Sequence, residues 1–195
     1  MERRLDVVSA YLIPGRTGSA LFAGLAEAGR EVRLVTNSLE ATDVPLVHSA
    51  WMRYRPGLVA AGVTVLELRA RSAAGGGGRA PDLLTGSMSS LHAKTFAIDG
   101  ERVFIGSFNL DPRSAMLNTE MGVLIESPRI ATALARALDD RSLVHEVRPD
   151  GAGGLEWHET TPNGTVVVHL RDPHASLARR AFVRVASWLP VEWLL

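Results

Sequence analysis

Apolar positions along the first seventy residues switch between strand and helix periods. Residues 5–13 are apolar and β-branched enough for a buried strand, and Pro14-Gly15 stops it. Over residues 17–28, Leu21, Phe22 and Leu25 fall on one helical face, with Gly29 as terminator. Residues 32–36 read as a second short strand, and residues 45–61 as a helix that Pro56 should kink or split. Gly62 then leads into a strand over 63–68. This β-α-β-α-β order predicts an α/β fold, with a mixed, mostly parallel sheet flanked by helices on both faces.

Residues 72–80, SAAGGGGRA, read as a flexible loop inside one domain spanning 1–195. Beyond it come a strand over 91–98, an Asp99-Gly100 turn and a strand over 102–108, a hairpin pattern. Residues 118–126 form a further strand. Ser127-Pro128 opens a helix to about Asp140, with serine as N-cap and proline in the first turn. A second hairpin around Asn163-Gly164 and a helical C-terminal stretch complete the pattern.

Composition narrows the function. The 195 residues are 46% hydrophobic, enough for a substantial core, and contain no cysteine, which excludes disulfides, thiolate metal sites and a cysteine nucleophile. Cationic and anionic side chains balance at 21 each, which makes nucleic acid an unlikely partner. No apolar run reaches the ~18 residues of a membrane span, and the N-terminus lacks a secretory apolar region. Lys94 is the sole lysine among those 21 cations; every other is arginine. That solitude fits either an arginine-biased composition with one stray lysine or a position that needs an ammonium rather than a guanidinium, and composition alone does not separate the two.

Side chains alternate faces along a strand, so His92 and Lys94 point the same way, as do Ser107 and Asn109. With Asp99 and Gly100 as a two-residue turn, Ser107 falls opposite His92, and all four side chains converge on one patch. A one-residue slip would break that convergence. Taken singly, each of these residues also fits a solvent-facing position on a half-buried hairpin. Together they supply a nucleophile or proton carrier, a fixed cation and two neutral donors, a set suited to an anionic phosphodiester. No carboxylate cluster is there to hold a metal, and no cofactor is called for.

The spacing His92-x-Lys94-x4-Asp99, followed by Gly106-Ser107-x-Asn109 and Asn118-Thr119-Glu120, resembles the HKD motif of the phospholipase D superfamily. SAYLIPG at 9–15, VTNSLEATDV at 35–44, the helix with His48, Tyr54 and Arg55, and the closing LPVEWLL extend the resemblance to the C-terminal half of bacterial cardiolipin synthases of the C type. It implies that His92 is the active-site histidine, either as nucleophile or as leaving-group acid. Lys94 and Asn109 would hold phosphate oxygens, with Ser107 nearby. Glu120 would hydrogen-bond the far nitrogen of His92, and Asp99, counted with the catalytic motif, would be more structural than chemical. His48, His145, His158, His169 and His174 match no site pattern.

The resemblance further implies a phosphatidyltransferase acting on a phosphatidylglycerol-like phospholipid through a phosphohistidine. Members pair two HKD motifs, and a sole lysine allows only one here. The second half-site is expected from an N-terminal domain, another chain or a second copy. The alternatives are a homodimeric phosphodiesterase or nuclease and a non-catalytic remnant. Residues 176–195 carry Arg179, Arg180 and Arg184, no acidic residue before Glu192, and Leu177, Ala181, Val185, Trp188 and Leu189 on one helical side. That pattern fits either packing on the domain's own core or an anionic membrane surface, and the resemblance favours peripheral attachment at the cytoplasmic face of the membrane.

Overall fold

Strand β1 (Arg4–Ser9) sets the layering: Val7 points to one face of the sheet, Val8 to the other, and both are buried. The computed structural model describes residues 1–70 and 90–189, so the glycine-rich stretch 72–80 and the closing residues 190–195 lie outside the described residues. Helix α1 (Gly15–Glu27) and α2 (Pro45–Ala60) connect β1 to β2 (Glu31–Asn37) and β3 (Thr64–Leu68). Both crossovers pack on the Val7 face, where Phe22, Trp51 and Leu58 meet Val32, Leu34 and Val65. Gly29 and Gly62, in the left-handed region, end these two helices. Helix α2 runs unbroken through Pro56, so the expected split is absent.

The hairpin strands β4 (Lys94–Ile98) and β5 (Arg102–Gly106) add antiparallel to β1 and are followed by α3 (Pro112–Met116) and β6 (Gly122–Glu126). Helix α4 (Pro128–Asp139), capped by Ser127, covers the other face, where Leu134 and Leu138 pack on Val8, Val35 and Leu66. Strands β7 (Val144–Pro149), β8 (Leu155–Thr160) and β9 (Val166–His169) extend the far edge, giving the order β6-β5-β4-β1-β2-β3-β7-β8-β9. The mixed sheet with helices on both faces matches the expectation. The expected parallel majority does not. Only β1–β2 and β2–β3 are parallel among the described ladders: β4 and β7 pair antiparallel with β1 and β3, and β5, β6, β8 and β9 continue antiparallel from them.

Helix α5 (Leu177–Ala186) docks on α2 through Val183 and Ala186. Two of its arginines also face inward: Arg179 donates to the Thr42 carbonyl and Arg180 Nε to the Asp172 carbonyl at 3.0 Å. Of the three cations expected to attract an anionic surface, these two instead hold the helix to the fold. Among the described residues its outer side exposes Leu177, Phe182 and Val185 beside Arg184, and Trp188 and Leu189, just past its end, are exposed as well.

Candidate active site

The end of the sheet where β1 and β2 finish is where parallel strands place ligands in open α/β sheets. Lys94 opens β4 there, opposite Ser9 at the end of β1, and the exposed His92 lies two residues before it. Asn37, the last residue of β2, fixes this junction. Its buried side-chain amide accepts from the Leu91 N–H at 2.8 Å and donates to the Leu91 carbonyl at 3.2 Å. The residue before His92 is thereby pinned on both sides. Lys94 Nζ donates to the His92 carbonyl at 3.0 Å and lies 3.5 Å from His92 Nε2, so ammonium and imidazole share one position above the sheet.

Ser107 and Asn109 reach this end of the sheet by a different route from the expected one. The turn contains Asp99, Gly100 and Glu101, and Ile98 pairs with Arg102, one residue out of the two-residue register. Phe96 therefore lies opposite Phe104, their rings stacked at 5.4 Å, and on a continued ladder Ser107 and Asn109 would fall on the wrong face for His92. The ladder stops instead. Its last pair is Thr95 and Ile105; one residue on, Gly106 faces Gly122 at the end of the β5–β6 ladder, and a side chain on either would strike the Phe104 ring. The Ser107 N–H still donates to the Met121 carbonyl at 2.8 Å, and Ser107 Oγ donates to Glu120. Beyond that, the chain folds back over β1, with the Leu110 N–H on Ser9 Oγ at 3.0 Å and the Ile13 N–H on the Leu110 carbonyl. This return brings Asn109 and Asp111 into a cavity of about 270 Å³ that Tyr11, Val47 and Asn118 also line. Asn109 Oδ1 is buried there without a partner among the described residues.

Electrostatically the Lys94 ammonium lies among acids, and Arg113 is a second cation lining the adjoining cavity. Burial lowers the Lys94 ammonium below its usual range, against the pull of Glu120, Asp43 and Asp111. Hydrogen bonds from Ser107 and Asn118 hold the Glu120 carboxyl below the ordinary glutamate value, so it stays ionised. Its oxygens accept from Ser107 Oγ and, at 3.1 Å, from Asn118 Nδ2, whereas the side-chain neighbour of the His92 imidazole is Lys94. The bond between Glu120 and His92 that the resemblance implies is therefore not formed here. His48 is buried with Nε2 3.4 Å from Asp172, which fits its reading as a residue of the fold.

Asp99 lies at the opposite end of β4, about 16 Å of strand from Lys94 at ~3.3 Å per residue. Its carboxylate accepts the N–H groups of Glu2, Arg3 and Arg4 at 2.9, 2.8 and 3.0 Å, and so clasps the start of β1. Desolvation works to raise its pKa, but these three donors and the N-terminal charge outweigh it and bring it from 3.8 to about 2. A depressed carboxyl adds stability that is complete above its unfolded value and is lost as pH falls through the folded one. Asp99→Asn should therefore melt lower than the parent at pH 7, the gap closing between pH 4 and pH 2. Circular dichroism melts across that range check this, and a pH-independent gap would rule out the carboxylate as its source.

Sequence reasoning missed Asn37, Ser9 and Asp111. The signal for Asp111 was present: Asp-Pro followed by Ser114, whose N–H the aspartate caps at 2.7 Å, marks the start of α3. A polar residue closing the apolar strand β2 was the corresponding sign for Asn37.

Residues 2–141 match the family model described as cardiolipin synthase, PLD-like domain. Cardiolipin synthase C of Escherichia coli (strain K12) is 39% identical over 200 residues, covering 100% of this chain and 41% of that protein. The chain thus spans well under half of that relative. Among solved structures, the phospholipase D family member Nuc from Salmonella typhimurium superposes with a TM-score of 0.55 at 17% identity, over 76% of this chain and 84% of that one. Phosphatidylserine synthase from Haemophilus influenzae gives 0.53 at 18% identity, over 74% of this chain and 34% of that one. At those identities the likeness is one of fold.

Proposed function

The chain belongs to the phospholipase D-like family of cardiolipin synthases, and from that premise we propose that it supplies one half-site of a phosphatidyltransferase. In the reaction, an imidazole nitrogen attacks the phosphorus of a phosphatidylglycerol-like donor. The bond to the head alcohol breaks, and that alcohol leaves with a proton from the histidine of the second half-site. A lipid alcohol then gives up its proton to the same base and displaces the phosphatidyl group from the imidazole, which regenerates both groups. His92 is one of the two histidines. Lys94 steadies the non-bridging oxygens and Asn109 orients the phosphate.

The observation that carries the half-site reading is the charge balance around Lys94. The Lys94 ammonium faces Glu120, Asp43 and Asp111 with Arg113 as the other cation lining the cavity among the described residues, and a second half bringing its own histidine and lysine would add the positive charge that a phosphodiester needs. The exposed apolar rim beside Glu120, formed by Met116, Leu117 and Met121 with Val123 and Leu124 of β6, supports the same reading, since it offers that half a docking edge. Among the described residues no helix is long and apolar enough to cross a membrane. The exposed apolar groups of α5, with Trp188 just beyond its end 75% exposed, suit shallow contact with a lipid surface.

The test uses labelled phosphatidylglycerol vesicles, with light scattering to separate monomer from dimer. Monomer alone should give no product. Product should appear with dimer, or on adding the N-terminal half of cardiolipin synthase C. Flotation with anionic vesicles should weaken in Trp188→Glu. Turnover by the monomer would overturn the half-site reading, and DNA cleavage with the lipid untouched would favour a homodimeric phosphodiesterase.

A further inference from the structure

Away from the catalytic end, three of the chain's six histidines meet at the junction of β7, β9 and the lead into α5. The rings of His145, His169 and His174 lie 5.4 to 6.2 Å apart, centroid to centroid. Glu159 of β8 joins them: its Oε2 is 2.9 Å from His169 Nε2 and 2.8 Å from His174 Nε2. Ligand atoms of His145, Glu159 and His174 all fall within 4.8 Å of one another. We propose that His145, Glu159 and His174, with His169 beside them, bind one divalent transition-metal ion of the zinc class.

The donor set is the first argument. Imidazole nitrogens with one carboxylate are ligands that zinc and its neighbours prefer, and a tetrahedral ion with bonds of ~2.0–2.1 Å sets its donors ~3.3 Å apart, so the two Glu159–imidazole pairs would open a little and the more distant donors, now within 4.8 Å, would close in. His145 is the second. Its side chain is fully buried, its Nδ1 has no partner among the described residues, and its Nε2 faces Glu40 at 3.3 Å. The third is the backbone at His174, where φ is 54°, a left-handed conformation uncommon outside glycine, though more frequent for histidine than for most residues, at the point where the chain turns its ring onto Glu159.

Arg69 is the competing cation, with Nη2 2.5 Å from Glu159 Oε1. It takes the oxygen that the histidines leave free, so it can remain as the outer partner that orients a ligating carboxylate. The other histidine–carboxylate group, His48 with Glu67 and Asp172, differs in this respect: Arg55 sits between its two carboxylates and already serves as their cation. An ion on the first group would tie β7, β8 and β9 to the segment that leads into α5. It would thereby fix the angle at which the exposed apolar groups of that helix are presented.

The experiment takes the full chain, strips it with a chelator and dialyses it against Zn²⁺ with elemental analysis, then repeats the loading with Co²⁺ in a spectrometer. One ion per chain and the visible absorption of tetrahedral Co²⁺ are expected. His174→Asn keeps a residue that tolerates the left-handed backbone but removes the imidazole. It should cost on the order of a hundredfold or more in affinity and abolish the rise in Tm that the ion gives the parent. His169→Ala should weaken binding similarly, whereas His158→Ala, whose Nε2 lies 2.6 Å from Glu156 outside the cluster, should bind as the parent does. A stripped chain that takes up no ion overturns the proposal, as does parental binding in His174→Asn.

Discussion

His92→Ala is expected to eliminate phosphatidyl transfer in the completed enzyme, by on the order of a thousandfold or more. The size follows from the role: without imidazole at this position one of the two steps has no nucleophile or no proton carrier, and no neighbour replaces it. Lys94, 3.5 Å away, is a cation, and the nearby carboxylates are held by Ser107, Asn118 and Ser114. The fold should be indifferent, because His92 is exposed and the junction is fixed by Asn37 holding Leu91 rather than by the imidazole. Initial rates of lipid product from labelled phosphatidylglycerol, with the second half-site supplied and melting curves recorded alongside, test both parts. A variant that keeps its rate within tenfold of the parent would remove His92 from the mechanism. A variant that loses its rate and melts far below the parent would show that the residue serves the fold.

The chemistry-bearing residues were legible in the sequence because the HKD spacing is carried by local strands, where alternation alone puts His92 beside Lys94. The route by which Ser107 joins them was not. A hairpin turn with one added residue, Glu101, moves every later side chain to the other face, and residue types alone do not distinguish the two registers. What rescues the site is the close approach of Gly106 and Gly122 under Phe104, a contact between strands 16 positions apart. Strand β7 escaped notice for a related reason: its mixture of charged, polar and apolar residues has neither period, and its place comes from pairing with β3 and β8. Likewise His145, His169 and His174 are unremarkable in sequence, since the sheet order that gathers them is non-local.

The largest effect on stability is expected at Glu67, which the sequence offered only as one acid inside an apolar strand. It is fully buried on β3, and its Oε1 accepts from Trp51 Nε1 at 2.9 Å and Arg55 Nη1 at 2.7 Å, while Oε2 accepts from Trp157 Nε1 at 2.8 Å. The same Arg55 nitrogen reaches Asp172 at 3.0 Å, and its guanidinium lies 4.6 Å from the centre of the Trp157 ring. One carboxylate thus joins α2, β3 and β8, and through Arg55 the lead into α5. Glu67→Leu would leave two indole N–H groups unpaired and half of the Arg55 charge uncompensated. Breaking a buried pair from one side costs about 3–5 kcal/mol, a large part of the ~5–15 kcal/mol that holds a domain of ordinary stability. Arg55→Leu should cost a similar amount. The double variant should lose clearly less than the two single losses combined, because the second substitution removes a charge that the first had stranded. Urea unfolding of all four proteins measures the coupling, with Glu67→Gln in place of Leu if the single variant does not fold. Acid should act on the same network. Burial works to raise the Asp172 carboxyl, but Arg55 and His48 hold it well below the usual range, so its contribution is complete above about pH 4 and fades as pH falls below that. Strictly additive losses would mean that Glu67 and Arg55 act independently, and that the packing of Trp51 and Trp157 alone joins these elements.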